Sequence, residues 1–93
     1  MRILLVEDEP NVAGVINKGL TEQGYSVTVA LDGKTALQLA YSNTFDIMIL
    51  DIMLPHINGM DLCRQLRQNN ILTPILFLTA LSTTDNIVAG LDA

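Results

Sequence analysis

Apolar residues along this chain come in short blocks, and the block period switches between strand-like and helix-like. Ile3-Leu4-Leu5-Val6 is a continuous apolar run that ends at Glu7-Asp8. Pro10 suits the first turn of a helix. Val12, Val15, Ile16 and Leu20 then recur at helical spacing, with Gly24 as the C-terminal cap. Gly14 and Gly19 inside that helix should weaken it by about 1 kcal/mol each relative to Ala, so their expected use is close packing against a sheet. Ser26-Val27-Thr28-Val29-Ala30 alternates polar and apolar, as a strand with one wet face does. Asp32 can cap a second helix whose apolar stripe is Ala36, Leu37, Ala40 and Tyr41. Phe45 to Leu50 reads as a third strand, and the Pro, Asn and Gly between Asp51 and Gly59 mark a loop with a turn at Asn58-Gly59. A third helix follows with Leu62, Leu66 and Cys63 inward, then a fourth strand, Ile75-Leu76-Phe77-Leu78, ending at Thr79-Ala80. Ser82 opens a fourth helix, with Asp85 completing a weak capping box and Ile87, Val88 and Leu91 on one face.

Strand and helix alternating through short joints predict an α/β fold, a doubly wound parallel sheet with helices on both faces. Runs one, three and four are continuously apolar, as strands buried on both faces are, whereas run two alternates. Right-handed crossovers leave few topologies, and among them the order 2-1-3-4, with strand two at an edge, fits these patterns on one condition. Strand four is interior only if a fifth strand covers it, and these 93 residues hold no fifth apolar run. On this pattern the chain looks cut short, with its fifth strand missing.

Composition changes this picture little. Ninety-three residues make one small domain, which buries about 60–65% of its unfolded surface. Hydrophobic residues are 49% and aromatic ones only 4%, so Leu, Ile, Val, Met and Ala must build the core. Ten acidic residues against five basic ones give a net charge of −5, which argues against direct nucleic-acid binding by this segment. The lone Cys63 has no partner for an internal disulfide and is expected to be buried and inert, in keeping with a reducing cytoplasm. No signal peptide or membrane-length run is present, so a soluble cytoplasmic domain is expected.

Charge placement is more telling. In a doubly wound sheet the ligand crevice lies beyond the carboxyl ends of the strands, where their order reverses. For the order 2-1-3-4 that point is between strands one and three, where Glu7, Asp8 and Asp51 would gather. Crowded carboxylates repel unless a cation or proton sits among them. A hard cation such as Mg²⁺ accepts that oxygen set and brings phosphate with it. Thr79 would add a hydroxyl from the end of strand four.

With these elements in place the chain resembles the receiver domain of bacterial two-component response regulators. The resemblance rests on ILLVEDEP at 3–10, ILDIMLPHING at 49–59 and TPILFLTA at 73–80, in that order and spacing. The Glu-Asp form of the first acidic pair is similar to that of the OmpR-like group, whose receivers precede a DNA-binding domain. The resemblance implies a flavodoxin-like fold and a phosphorylation switch controlling an output domain, most often transcriptional. Asp51 would accept a phosphoryl group from a sensor histidine kinase. Asp8, Asp51 and the backbone carbonyl of Met53 would hold Mg²⁺, Glu7 would act through a water, and Thr79 would bind a phosphoryl oxygen. Residues 1–93 would then be an incomplete receiver with the fifth strand and fifth helix missing, and the chain would contact DNA only through a C-terminal domain outside it. The lysine such receivers carry at the end of strand five has no match, since Lys18 and Lys34 fall on helices one and two.

Other readings are weaker. A haloacid-dehalogenase-like phosphotransferase or hydrolase needs a carboxylate two residues after its nucleophile, and Met53 stands there. The resemblance implies no turnover enzyme, only self-catalysed phosphorylation and dephosphorylation, the latter slow because neither Met53 nor Leu81 can orient a water. A stand-alone receiver acting through protein contacts is the alternative. An exposed apolar edge on strand four would favour dimerisation or swapping. Glu9 reads as a favourable charge at a helix N-terminus, His56 as a solvated loop residue, and Met53 and Met60 as packing residues, Met53 over the site entrance.

Overall fold

The computed structural model describes residues 1–54 and 57–78. Its elements follow in the order β1 (Arg2–Val6), α1 (Pro10–Glu22), β2 (Ser26–Ala30), α2 (Gly33–Ser42), β3 (Ile47–Asp51), α3 (Gly59–Gln68) and β4 (Ile75–Leu78). All pairings are parallel, in the order β2-β1-β3-β4. The expected strand order is therefore present. Thr79 and the expected fourth helix lie outside the described residues, as do Pro55, His56 and Leu81.

Alternation along the strands divides the core in two. Leu4, Val6, Met48 and Leu50 face α2 and α3, where Ala36, Ala40, Leu62 and Leu66 meet them. Ile3, Leu5, Ile49, Leu76 and Leu78 face the other way, with Ala13, Ile16 and Leu20 of α1. Leu4, Leu5 and Val6 are all 0% exposed, so the central strand is covered on both faces, as its unbroken apolar run requires. No described helix is long and apolar enough to cross a membrane.

The helix ends carry their own stop signals. Gly24 takes φ +93 after α1, and the amides of Gly24 and Tyr25 return to the carbonyls of Thr21 and Leu20. Asn70 does the same for α3 at φ 62, with the amides of Asn70 and Ile71 returning to Arg67 and Leu66. Both ends are Schellman motifs, in which a left-handed residue satisfies the last helical carbonyls.

Several expectations fail in detail. Val12 and Val15 face solvent, 44% and 74% exposed, and Ala13 takes the inward position. A small residue there brings the helix axis close to the sheet, and the larger valines one step round the helix point away. Gly14 and Gly19 have open space around them, so they do not mediate close packing. Tyr41 is likewise exposed, its hydroxyl accepting from Asn69 Nδ2 at 3.2 Å, while Leu39 packs against the core. Cys63 is half-buried. The third strand starts at Ile47, after Asp46 accepts the Arg2 amide at 2.6 Å through its side chain. Phe45 stays buried, with the Arg2 guanidinium 5.3 Å from its ring centroid.

Candidate functional site

Register brings the acids together. Val6 pairs with Leu50, so Glu7 and Asp51 leave the sheet side by side, at the reversal between β1 and β3. Glu7, Asp8 and Asp51 each offer a carboxylate oxygen, and these oxygens lie within 4.8 Å of one another. Glu7 is buried, Asp51 half-buried and Asp8 exposed, so the cluster opens to solvent on the Asp8 side.

Glu7 and Asp51 are held by local hydrogen bonds. The Glu7 amide extends the β1–β2 ladder by donating to Ala30 O at 3.1 Å, and Glu7 Oε1 accepts the Glu9 amide at 3.1 Å. Glu9 is the N-cap of α1, accepting the Asn11 amide at 3.2 Å, and Pro10 follows at the first helical position. The expected charge at the helix start is therefore a specific hydrogen bond. Asp51 is the last residue of β3, and its Oδ1 accepts the Met53 amide at 3.1 Å.

Electrostatics single out Glu7. Burial raises its pKa from 4.5 to about 7, helped by the charge of Asp51, a hydrogen bond to it and the charge of Asp8. The Glu9 amide pulls the other way. A buried carboxyl that holds a proton near neutrality, with two further carboxylates beside it, stands where a cation could replace that proton. The donor set is all oxygen, which suits a hard cation.

Beyond Asp51 the chain folds back on itself. Met53 and Asn58 form an isolated antiparallel bridge, and the Gly59 amide donates to Ile52 O at 2.7 Å. The Met53 carbonyl accepts no hydrogen bond among the described residues. Met53 and Met60 are 73% and 46% exposed, so neither is the packing residue expected. Asn58 is the N-cap of α3, accepting the Met60 amide at 2.7 Å. Gly59 begins that helix: a Cβ there would overlap Asp51 O and stand 3.0 Å from Ile52 Cα. The expected turn is thus a helix start seated against the backbone of Asp51. Nothing in the Asn-Gly pair itself distinguishes the two, because the crowding atoms belong to the preceding strand end.

Comparison with known proteins agrees with this geometry. The model of the response regulator receiver domain family matches residues 3–93. Response regulator ArlR of Staphylococcus saprophyticus is 52% identical over 91 residues, a match covering 98% of this chain and 41% of that protein. The chain thus spans about two-fifths of the length of the curated relatives it matches. Response regulator protein TrrA of Thermotoga maritima, solved in complex with Mg²⁺-BeF, superposes with TM-score 0.81 at 35% identity, covering 96% of this chain and 79% of that one. TrrA solved in complex with histidine kinase ThkA gives TM-score 0.80 at 37% identity, over 89% and 72% of the two chains. With its parallel sheet in the order β2-β1-β3-β4 and acids at the reversal, the chain belongs to the response regulator receiver domain family.

Proposed function

We propose that the chain is the phosphorylatable switch of a two-component system, with Asp51 as the phosphoryl acceptor and a sensor histidine kinase as donor. The observation that carries this reading is the convergence of Glu7, Asp8 and Asp51 within 4.8 Å at the crevice end of adjacent parallel strands. Asp51 is the acceptor because it ends β3 at that crevice, half-buried.

Asp8, Asp51 and the Met53 carbonyl would hold Mg²⁺, with Glu7 reaching it through a water. The raised pKa of Glu7 and the all-oxygen donor set support that fit. When bound, Mg²⁺ supplies positive charge beside the phosphoryl oxygens. The chain's own part is to present the nucleophile. An oxygen of Asp51 forms its bond to phosphorus as the P–N bond of a phosphohistidine breaks, and the imidazole leaves with the electron pair. Thr79, which follows β4 in sequence, would donate its hydroxyl to a phosphoryl oxygen. The likeness to TrrA, solved with Mg²⁺-BeF and with a histidine kinase, supports both the ion and the partner. In the cytoplasm, the phosphorylated form would regulate transcription through a DNA-binding domain beyond these residues; what the match to ArlR supports is the response-regulator role itself.

Incubation with Mg²⁺ and acetyl phosphate, followed by intact-mass measurement, tests the assignment. The expected result is one phosphoryl group on the chain and none on Asp51→Asn. Label retained by Asp51→Asn would remove Asp51 from this role.

A further inference from the structure

Gly33 and Ile57 meet where the loop after β3 passes the start of α2. Gly33 is the first residue of α2 and is buried. A Cβ built on it would overlap Ile57 Cγ2 and stand 3.6 Å from Ile57 Cβ. The glycine is therefore a notch, and one methyl of Ile57 fills it. The notch backbone is fixed from its other side: Asp32 caps α2, accepting the Thr35 amide at 2.7 Å and the Thr35 hydroxyl at 3.0 Å.

Ile57 stands on a ridge between two open hollows. One, about 580 Å³, is bordered by Ile52, Asn58 and Asp61; the other, about 830 Å³, by Asp32, Lys34 and Leu37. Half-buried against the core on the α2–α3 side, Ile57 ties the loop to α2 across that ridge. The same loop carries Met53, whose amide holds Asp51 Oδ1, and ends at Gly59, whose amide holds Ile52 O. Ile57 is followed directly by Asn58, which bridges Met53, so the seat of Ile57 is linked to the Met53 backbone.

We propose that the Gly33–Ile57 contact is a latch that positions the Met53 backbone over the acidic cluster, making both residues positioning residues for cation binding. This rests on the cation reading above. Residues that orient a metal's ligands control affinity without touching the ion.

The test is an Mg²⁺ titration followed by the amide NMR shifts of Asp8 and Met53, with thermal unfolding of the same metal-free samples. Gly33→Ala is expected to bind Mg²⁺ about tenfold more weakly. In Gly33→Ala/Ile57→Ala the two Cβ atoms would meet at 3.6 Å, an ordinary contact, and most of the affinity returns. Ile57→Ala alone removes the methyl without crowding and is expected to weaken binding too, so the latch remains testable if Gly33→Ala does not fold. Unchanged affinity in either single variant, or no recovery in the double, overturns the latch. Absence of Mg²⁺ binding by the unsubstituted protein overturns the cation reading, and the latch with it.

Discussion

The two corners that build the acidic site are made differently. At the end of β1 the chain enters α1 within a few residues, and every hydrogen bond that fixes the corner is local or continues the sheet. Glu7 takes the Glu9 amide, Glu9 caps Asn11, and Pro10 starts the helix. At the end of β3 the chain makes a longer excursion before α3, and its local hydrogen bonds are joined by close packing across the loop and against α2. Gly33 receives Ile57, and Gly59 sits against the Asp51 backbone. One corner is set by its own sequence, the other also by what it rests on.

The contrast is broken most severely at Gly59. Gly59→Ala places a methyl against backbone, which cannot swing aside as a side-chain tip can, and should cost about 3 kcal/mol. Urea denaturation checks it. A loss below about 1 kcal/mol, the low end for overpacking, would mean the second corner has slack and is not clamped.

The next effect belongs to the first corner and is read through pH. The folded pKa of Glu7 is raised to about 7 from 4.5. Below 4.5 folded and unfolded chains both hold the proton. Between 4.5 and about 7 the unfolded chain gives it up while the folded chain keeps it. Metal-free stability should therefore fall as pH rises through that window and level off above it. Glu7→Gln should flatten this part of the profile in thermal unfolding, and an unchanged slope would clear Glu7. In the unsubstituted protein, Mg²⁺ affinity should rise with pH through about 7, because the ion has to displace the Glu7 proton.

The smallest effect compares the two helix caps. Asn58→Ala removes the 2.7 Å bond to the Met60 amide and should cost about 1 kcal/mol. Glu9→Ala removes a longer 3.2 Å bond and should cost less, by the same denaturation measurement. The reverse order would show that the first corner leans on its cap more than its geometry suggests.

Much of this was readable in advance. Unbroken apolar runs at β1 and β3, against the alternation of β2, lead to the strand order and so to the meeting of Glu7, Asp8 and Asp51. On α1 the periodicity places Ile16 and Leu20 against the core but points to Val12 and Val15 in error. Valine carries more hydrophobic weight than alanine, while close approach to the sheet favours Ala13. The two clamping glycines were illegible for a different reason. Their meaning lies in Ile57 and in the Asp51 backbone, and no local pattern around Gly33 or Gly59 announces those neighbours.

Leu4, Leu5 and Val6 are sealed from solvent on both faces of the sheet. Their amides should be among the last to exchange with deuterium, since reaching them requires opening the core as a whole. Glu7 and Asp8 thus follow directly from one of the best-protected strands among the described residues. A rearrangement at the site would then be expected in the segment after Asp51, with the acids that follow β1 as the fixed reference against which it is measured.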